Sequence, residues 1–124
     1  MPSKKILFIE DETEIIDLMR TRLEASGYKM LSACDGEDGL KKVEEKNPDL
    51  ILLDIIMPKI DGLAVCRQLK SNPKTKNIPI IIVSAWGGKD LPESCQQAGA
   101  DELVIKPFEA EELLDKISKL LDEE

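Results

Sequence analysis

The chain has 124 residues, about one domain's worth, and its 42% hydrophobic and 34% charged composition argues against disorder and for one self-sufficient core. Its 17 lysines and arginines against 25 aspartates and glutamates give a formal charge of −8, a field that repels phosphate backbones and anionic lipid, so no direct nucleic-acid or membrane partner is expected. With no histidine, a histidine base, a histidine metal ligand and a phosphohistidine on this chain are all excluded, leaving carboxylates, hydroxyls, lysine and a metal to carry any chemistry.

Lys5 to Ile9 is a first apolar burst, followed at once by Glu10, Asp11 and Glu12. The period then changes: Ile15, Ile16, Met19 and Leu23 recur at helical spacing until Gly27 stops the helix. Tyr28 to Ala33 reads as a short, weaker strand. Asp35 and Gly36 open a second helix that runs through Leu40 and Val43 to Asn47 and Pro48. Leu50 to Leu53 is a run of four apolar residues without polar alternation, as expected of a strand covered on both faces, and it stops at Asp54. Met57, Pro58 and Gly62 turn the chain away. The third helix places Leu63, Cys66 and Leu69 on its inner face and runs out at Ser71, Asn72 and Pro73. Pro79 to Val83 is the fourth strand, ending at Ser84, and Gly87 and Gly88 loosen the loop before a modest helix from Leu91 to Ala98 that Gly99 terminates. Glu102 to Ile105 is the fifth strand, ending at Lys106. The closing helix, Glu109 to Leu121, carries an apolar stripe of Leu113, Leu114, Ile117, Leu120 and Leu121.

A strand-helix pair repeated five times predicts an α/β fold, a parallel sheet with helices on both faces, in one domain over residues 1–124 with its core in 4–121. Cys34, Cys66 and Cys95 are odd in number and widely spaced, so they read as small buried apolar groups and neither as disulfides nor as a zinc motif. The N-terminal segment lacks a signal peptide's apolar region, and the expected location is cytoplasmic. Lys59, Lys70, Lys74 and Lys76 read as solvated charge, and Gly62 and Gly99 as turn and helix-stop residues.

The strand ends carry the chemistry. In a parallel sheet the carboxyl ends share one edge, where ligands bind, and here that edge receives Glu10 and Asp11, Asp54, Ser84 and Lys106. Taken alone, Asp54 could simply cap or initiate a turn, and the five residues together could form an ordinary salt-bridged rim. Three crowded carboxylates raise one another's pKa unless cations neutralise them, and Lys106 offsets one charge at most. A hard divalent ion with few protein oxygens suits the remainder, which points to Mg²⁺. The inventory of carboxylate nucleophile, two cations and a hydroxyl fits acceptance of a phosphoryl group on Asp54.

With these residues in order the sequence resembles the receiver (phosphoacceptor) domains of two-component response regulators. The resemblance covers Lys4 to about Leu121 and rests on Glu10-Asp11, on D-x-x-M-P-x-x-D-G from Asp54 to Gly62, on Ser84, and on G-A-D-E-x-x-x-K-P-F from Gly99 to Phe108. It implies a flavodoxin-like sheet of order 2-1-3-4-5 and phosphorylation of Asp54. It implies Mg²⁺ held by Asp11, Asp54 and the carbonyl of Ile56, with Glu10 helping through water, and Ser84 and Lys106 on the phosphoryl oxygens. The bond before Pro107 would be cis. A histidine kinase or phosphotransfer protein would be the donor, and a downstream target protein would read the state. Two departures stand out. Receiver domains commonly have an aromatic ring at Leu103 that swings inward on activation; leucine cannot repeat that motion, which leaves the loop Ser84 to Gly88 to move, with Trp86 either its reporter or a ring packed on the loop or partner surface. At Ile56 family members often carry a polar side chain that orients the hydrolytic water, so slow self-dephosphorylation is expected. Two other functions compete: a Mg²⁺-dependent phosphatase working through a phospho-aspartate, which would want a substrate cap and a second acid two residues after Asp54, and a receiver-fold scaffold that is not phosphorylated.

Overall fold

The structure is a computed structural model and describes residues 3–55, 61–85 and 89–121. Five strands, β1 (Lys5–Ile9), β2 (Lys29–Ala33), β3 (Leu50–Asp54), β4 (Ile80–Ser84) and β5 (Glu102–Ile105), alternate with helices α1 (Thr13–Ala25), α2 (Gly36–Lys46), α3 (Gly62–Ser71), α4 (Leu91–Gln97) and α5 (Ala110–Leu120). The strands form one parallel sheet in the order β2-β1-β3-β4-β5, the flavodoxin-like order.

The near-unbroken apolar strands follow from burial on both faces. Successive side chains point to opposite sides, so Leu7, Ile9, Ile51, Leu53, Ile80 and Ile82 pack with α2, α3 and α4, while Ile6, Phe8, Leu50, Leu52, Ile81 and Val83 pack with α1 and α5. Each such side chain, fully removed from water, contributes roughly 1.5–3 kcal/mol before the entropy of ordering it is counted. On α5, Leu113 and Ile117 are fully buried, and Leu114, Leu120 and Leu121 flank them, partly buried.

Local chemistry sets the helix ends. The Asp35 and Asp61 carboxylates accept from the N–H groups of Asp38 and Ala64 at 2.8 and 2.9 Å, capping α2 and α3. Asn47 ends α2 in the left-handed region, and Gly99, with φ +92°, follows α4. Tyr28 lies in the connection after α1 and not in β2, since its N–H donates back to the Leu23 carbonyl at 3.0 Å and the strand begins at Lys29.

Two further sequence expectations are corrected. Cys66 and Cys95 are buried, but Cys34 is exposed, in the turn that leads from the outer strand β2 into α2. Lys70 is not solvated charge: its ammonium donates to the Ile78 and Lys76 carbonyls at 2.9 and 3.2 Å and to Asp101 Oδ2 at 3.0 Å. The same Asp101 oxygen accepts from the Ile80 N–H at 2.8 Å, so this knot ties α3 to the starts of β4 and β5. Lys74 and Lys76 are exposed as expected, and Lys59 lies outside the described residues. Among the described residues no helix is long and apolar enough to cross a membrane.

Candidate functional site

Strand register aligns the site. Ile9 pairs with Leu53, so Glu10 follows at the level of Asp54; Asp54 pairs with Val83 and Ser84 with Ile105, so Ser84 and Lys106 continue the row. The Lys106 N–H donates to the Ser84 carbonyl at 2.7 Å, joining the last two positions beyond the ladder.

Among the described residues, the buried polar or charged ones are Glu10, Asp54 and Ser84, all in this row, at 0%, 4% and 0% exposure. Buried charge is costly unless paired, and the pairing comes from Lys106. Its ammonium lies 2.5 Å from Glu10 Oε1, 3.4 Å from Asp54 Oδ2 and 3.8 Å from the exposed Glu12 carboxylate. The second Glu10 oxygen accepts from the N–H groups of Asp11 and Glu12 at 3.1 and 3.3 Å, which orders the β1–α1 turn.

Two buried carboxylates thus share one ammonium. Burial pushes the Glu10 carboxyl up; the Lys106 hydrogen bond pulls it down, and the hydrogen bond and charge of Asp54 push it up again, to about 7. Burial alone would lower the Lys106 ammonium, but Glu10 and Asp54 outweigh it and raise the group, so the lysine stays charged.

Glu10, Asp11 and Glu12 can each turn a carboxylate oxygen to within 4.8 Å of the others. An all-oxygen donor set with surplus negative charge fits a hard divalent cation, and the few protein ligands suit Mg²⁺, which keeps several waters. Glu12 is the addition here. It stands in the acidic run after β1, but its spacing alone does not separate it from a solvated first-turn acid.

The sequence-predicted residues fall into three groups. Glu10, Asp54, Ser84 and Lys106 come together, with Asp11 beside them at the surface. Leu103 pairs with Ile82 inside the sheet and packs, partly buried, against the α2, α3 and α4 side, and the Lys106–Pro107 bond is cis. Ile56 and Trp86 lie outside the described residues.

One further contributor is Gly62. A Cβ there would meet the Asp54 carbonyl oxygen at 2.4 Å and Ile55 Cα at 2.5 Å, so α3 begins directly against the backbone of the acid. It is a close-approach glycine as well as a turn residue.

The open parallel sheet carries buried acids and a buried hydroxyl along its carboxyl edge, with a partly buried lysine beside them. Residues 6–118 match the response regulator receiver domain family, and the chain belongs to that family. It is 39% identical over 119 residues to the alkaline phosphatase synthesis transcriptional regulatory protein PhoP of Bacillus subtilis, covering 96% of this chain and 49% of that protein. The chain spans about half the length of the curated relatives it matches. A response regulator receiver domain protein from Methanospirillum hungatei superposes with a TM-score of 0.91 at 30% identity, covering 97% of this chain and 94% of that one. The response regulator protein TrrA of Thermotoga maritima, solved in complex with Mg²⁺-BeF, gives 0.85 at 38% identity, covering 94% and 98%.

Proposed function

We propose that this chain is a phosphorelay switch in which Asp54 accepts a phosphoryl group from a phosphohistidine on a partner histidine kinase or phosphotransfer protein. The observation that carries the reading is the set of buried polar residues, Glu10, Asp54 and Ser84, aligned with Lys106 on one sheet edge. None of these 124 residues is a histidine, so the donor's imidazole lies outside them.

An Asp54 carboxylate oxygen attacks phosphorus; the P–O bond forms as the donor's P–N bond breaks, and the electron pair returns to the imidazole nitrogen. Lys106, held charged beside Asp54, neutralises part of the phosphoryl charge, and the Ser84 hydroxyl donates to one of its oxygens. Asp11, Asp54 and the Ile56 carbonyl, with Glu10 and Glu12 in the same acidic cluster as Asp11, would hold Mg²⁺, which would supply charge neutralisation to the transferring phosphoryl group. Support for this ion comes from the clustered carboxylates and from the similar TrrA protein, solved with Mg²⁺-BeF.

The state of Asp54 is read through Ser84 and the loop after it: a hydroxyl drawn to the new phosphate pulls on β4, and the face around β4, β5 and their helices changes affinity for a target protein. Leu103 is a leucine already packed inward, so no ring swing takes part; Trp86 is the candidate reporter in that loop. The chemistry is confined to the chain's own phosphorylation and dephosphorylation, in the cytoplasm, within one domain over residues 1–124.

Incubation with Mg²⁺ and acetyl phosphate, followed by intact-mass measurement and mapping, tests the reading. One added phosphoryl group, located on Asp54 and absent from Asp54→Asn, is the expected result. Continuous release of phosphate from varied esters would mark a phosphatase, and no uptake at all would mark a scaffold.

A further inference from the structure

β2 is an outer strand of the sheet, and among the described residues it pairs only with β1. Within it, Lys29 and Ala33 turn their backbone groups towards β1: the Lys29 N–H donates to Lys4 O and Ala33 O accepts from the Glu10 N–H, both at 2.9 Å. Alternation then turns the carbonyls of Met30 and Ser32 outward, where an incoming strand would bond. Both carbonyls are taken. Arg20, on α1 on one side of the sheet, donates to the Met30 carbonyl at 2.9 Å and to Ser32 Oγ at 3.2 Å. Lys42, on α2 on the other side, donates to the Ser32 carbonyl and is steadied by Asp38 at 3.3 Å.

Water alone would satisfy a carbonyl on an exposed edge. Ordering two long side chains, one from each face, onto neighbouring carbonyls costs conformational entropy that hydrogen-bond satisfaction does not require. We propose that Arg20 and Lys42 form a paired guard that closes the outer edge of β2 to strand addition, and that the strand they exclude is β2 of a second copy of this chain. A two-fold pairing of β2 with β2 is self-complementary and closes on itself. It would also continue both apolar layers, since Met30 belongs to the layer under α1 and α5, and Leu31 and Ala33 to the layer under α2, α3 and α4.

The test is the solution mass of Arg20→Ala/Lys42→Ala against the parent over a range of concentrations, with circular dichroism to establish folding and hydrogen exchange to read the β2 amides. The control is Arg22→Ala/Lys41→Ala, which removes the same charge from exposed positions on the same two helices. The expected result is a folded double variant whose mass rises above the parent's with concentration, towards twice the parent's value, with the Met30 and Ser32 amides gaining protection in step. The control stays with the parent. A double variant that keeps the parent's mass throughout overturns the proposal, as does a control that associates equally or an association that leaves the β2 amides unprotected. Should the double variant fail to fold, Arg20→Ala and Lys42→Ala singly carry the same test, each opening one carbonyl, and parental behaviour in both overturns it.

Discussion

Gly62 stands so close to Asp54 that a Cβ on the glycine would sit 2.4 Å from the aspartate's carbonyl oxygen. The contact is with backbone, which cannot swing aside as a side-chain tip would, so relief requires α3 or the end of β3 to shift. Replacing a helical glycine by alanine normally stabilises by up to about 1 kcal/mol. Here the sign reverses: Gly62→Ala is expected to lose about 1–3 kcal/mol in urea denaturation, the range for forcing extra volume into a packed site. Because the displaced atoms belong to the proposed acceptor, Asp54, the same variant is expected to take up phosphoryl from acetyl phosphate more slowly. A variant as stable as the parent would show that the two segments separate freely.

Removal of Lys106 tests the charge balance of the site. Its ammonium is the cation shared by Glu10 and Asp54, with only 10% of the side chain exposed. Lys106→Met keeps the apolar stem and leaves two buried carboxylates without their partner, a change that costs roughly 3–5 kcal/mol when a buried pair is broken. The loss is expected to be large at pH 7.5 and smaller at pH 5, where Glu10 takes a proton, and millimolar Mg²⁺ should recover part of the stability without restoring phosphoryl uptake. Urea melts at the two pH values, with and without Mg²⁺, measure this; equal losses at both would mean the ammonium does not balance these acids.

The fold was legible because periodicity and strand termini carry it: I-L-F-I, L-I-L-L and I-I-I-V are each followed within a residue or two by a group of different chemistry, and parallel order puts those groups on one edge. What stayed illegible depended on long-range contact. Lys70 looks like a surface lysine until the start of β4 and the turn before β5 bring two carbonyls and Asp101 to it. Cys34 resembles Cys66 and Cys95 in composition but sits next to an outer strand. Gly62 reads as an ordinary turn glycine, since nothing in the sequence reports how near α3 comes to β3. Arg20 and Lys42 offer no sequence signal either, because helical spacing does not say that two helices flank the same strand from opposite sides.

The raised Glu10 carboxyl fixes the sign of a pH effect. Its pKa is 4.5 in the unfolded chain and about 7 in the folded one, from burial and then from Asp54, against the pull of Lys106. Below pH 4.5 the group is protonated in both states and contributes nothing to the slope. Between pH 4.5 and 7 the folded protein holds the extra proton, so the stability this group gives falls as pH rises, by up to about 3 kcal/mol in all. Lys106 titrates in a separate window: its raised pKa stabilises below 10.5, and that contribution is lost only at higher pH. The parent is therefore expected to lose stability relative to Glu10→Gln between pH 5 and 7.5. Mg²⁺ should narrow that loss at pH 7.5 and have little effect at pH 5. Parallel pH curves for the two proteins would remove Glu10 as the titrating group.

In the proposed switch, the lifetime of the phosphorylated state is expected to depend on Ile56, two residues after Asp54. An apolar side chain there can neither accept nor donate to the water that must attack phosphorus from the side opposite Asp54. Attack is then expected to depend on an unoriented water, and the acyl phosphate to be long-lived. Ile56→Asn supplies both a donor and an acceptor on a short side chain, and orienting a reacting water in this way is worth about tenfold or more in rate. Phosphorylated parent and variant, freed of donor by rapid desalting and held with Mg²⁺, are expected to release inorganic phosphate at rates differing by that factor, the variant being faster. Equal rates would place the control of hydrolysis elsewhere in the site, with Trp86→Ala the next substitution to compare.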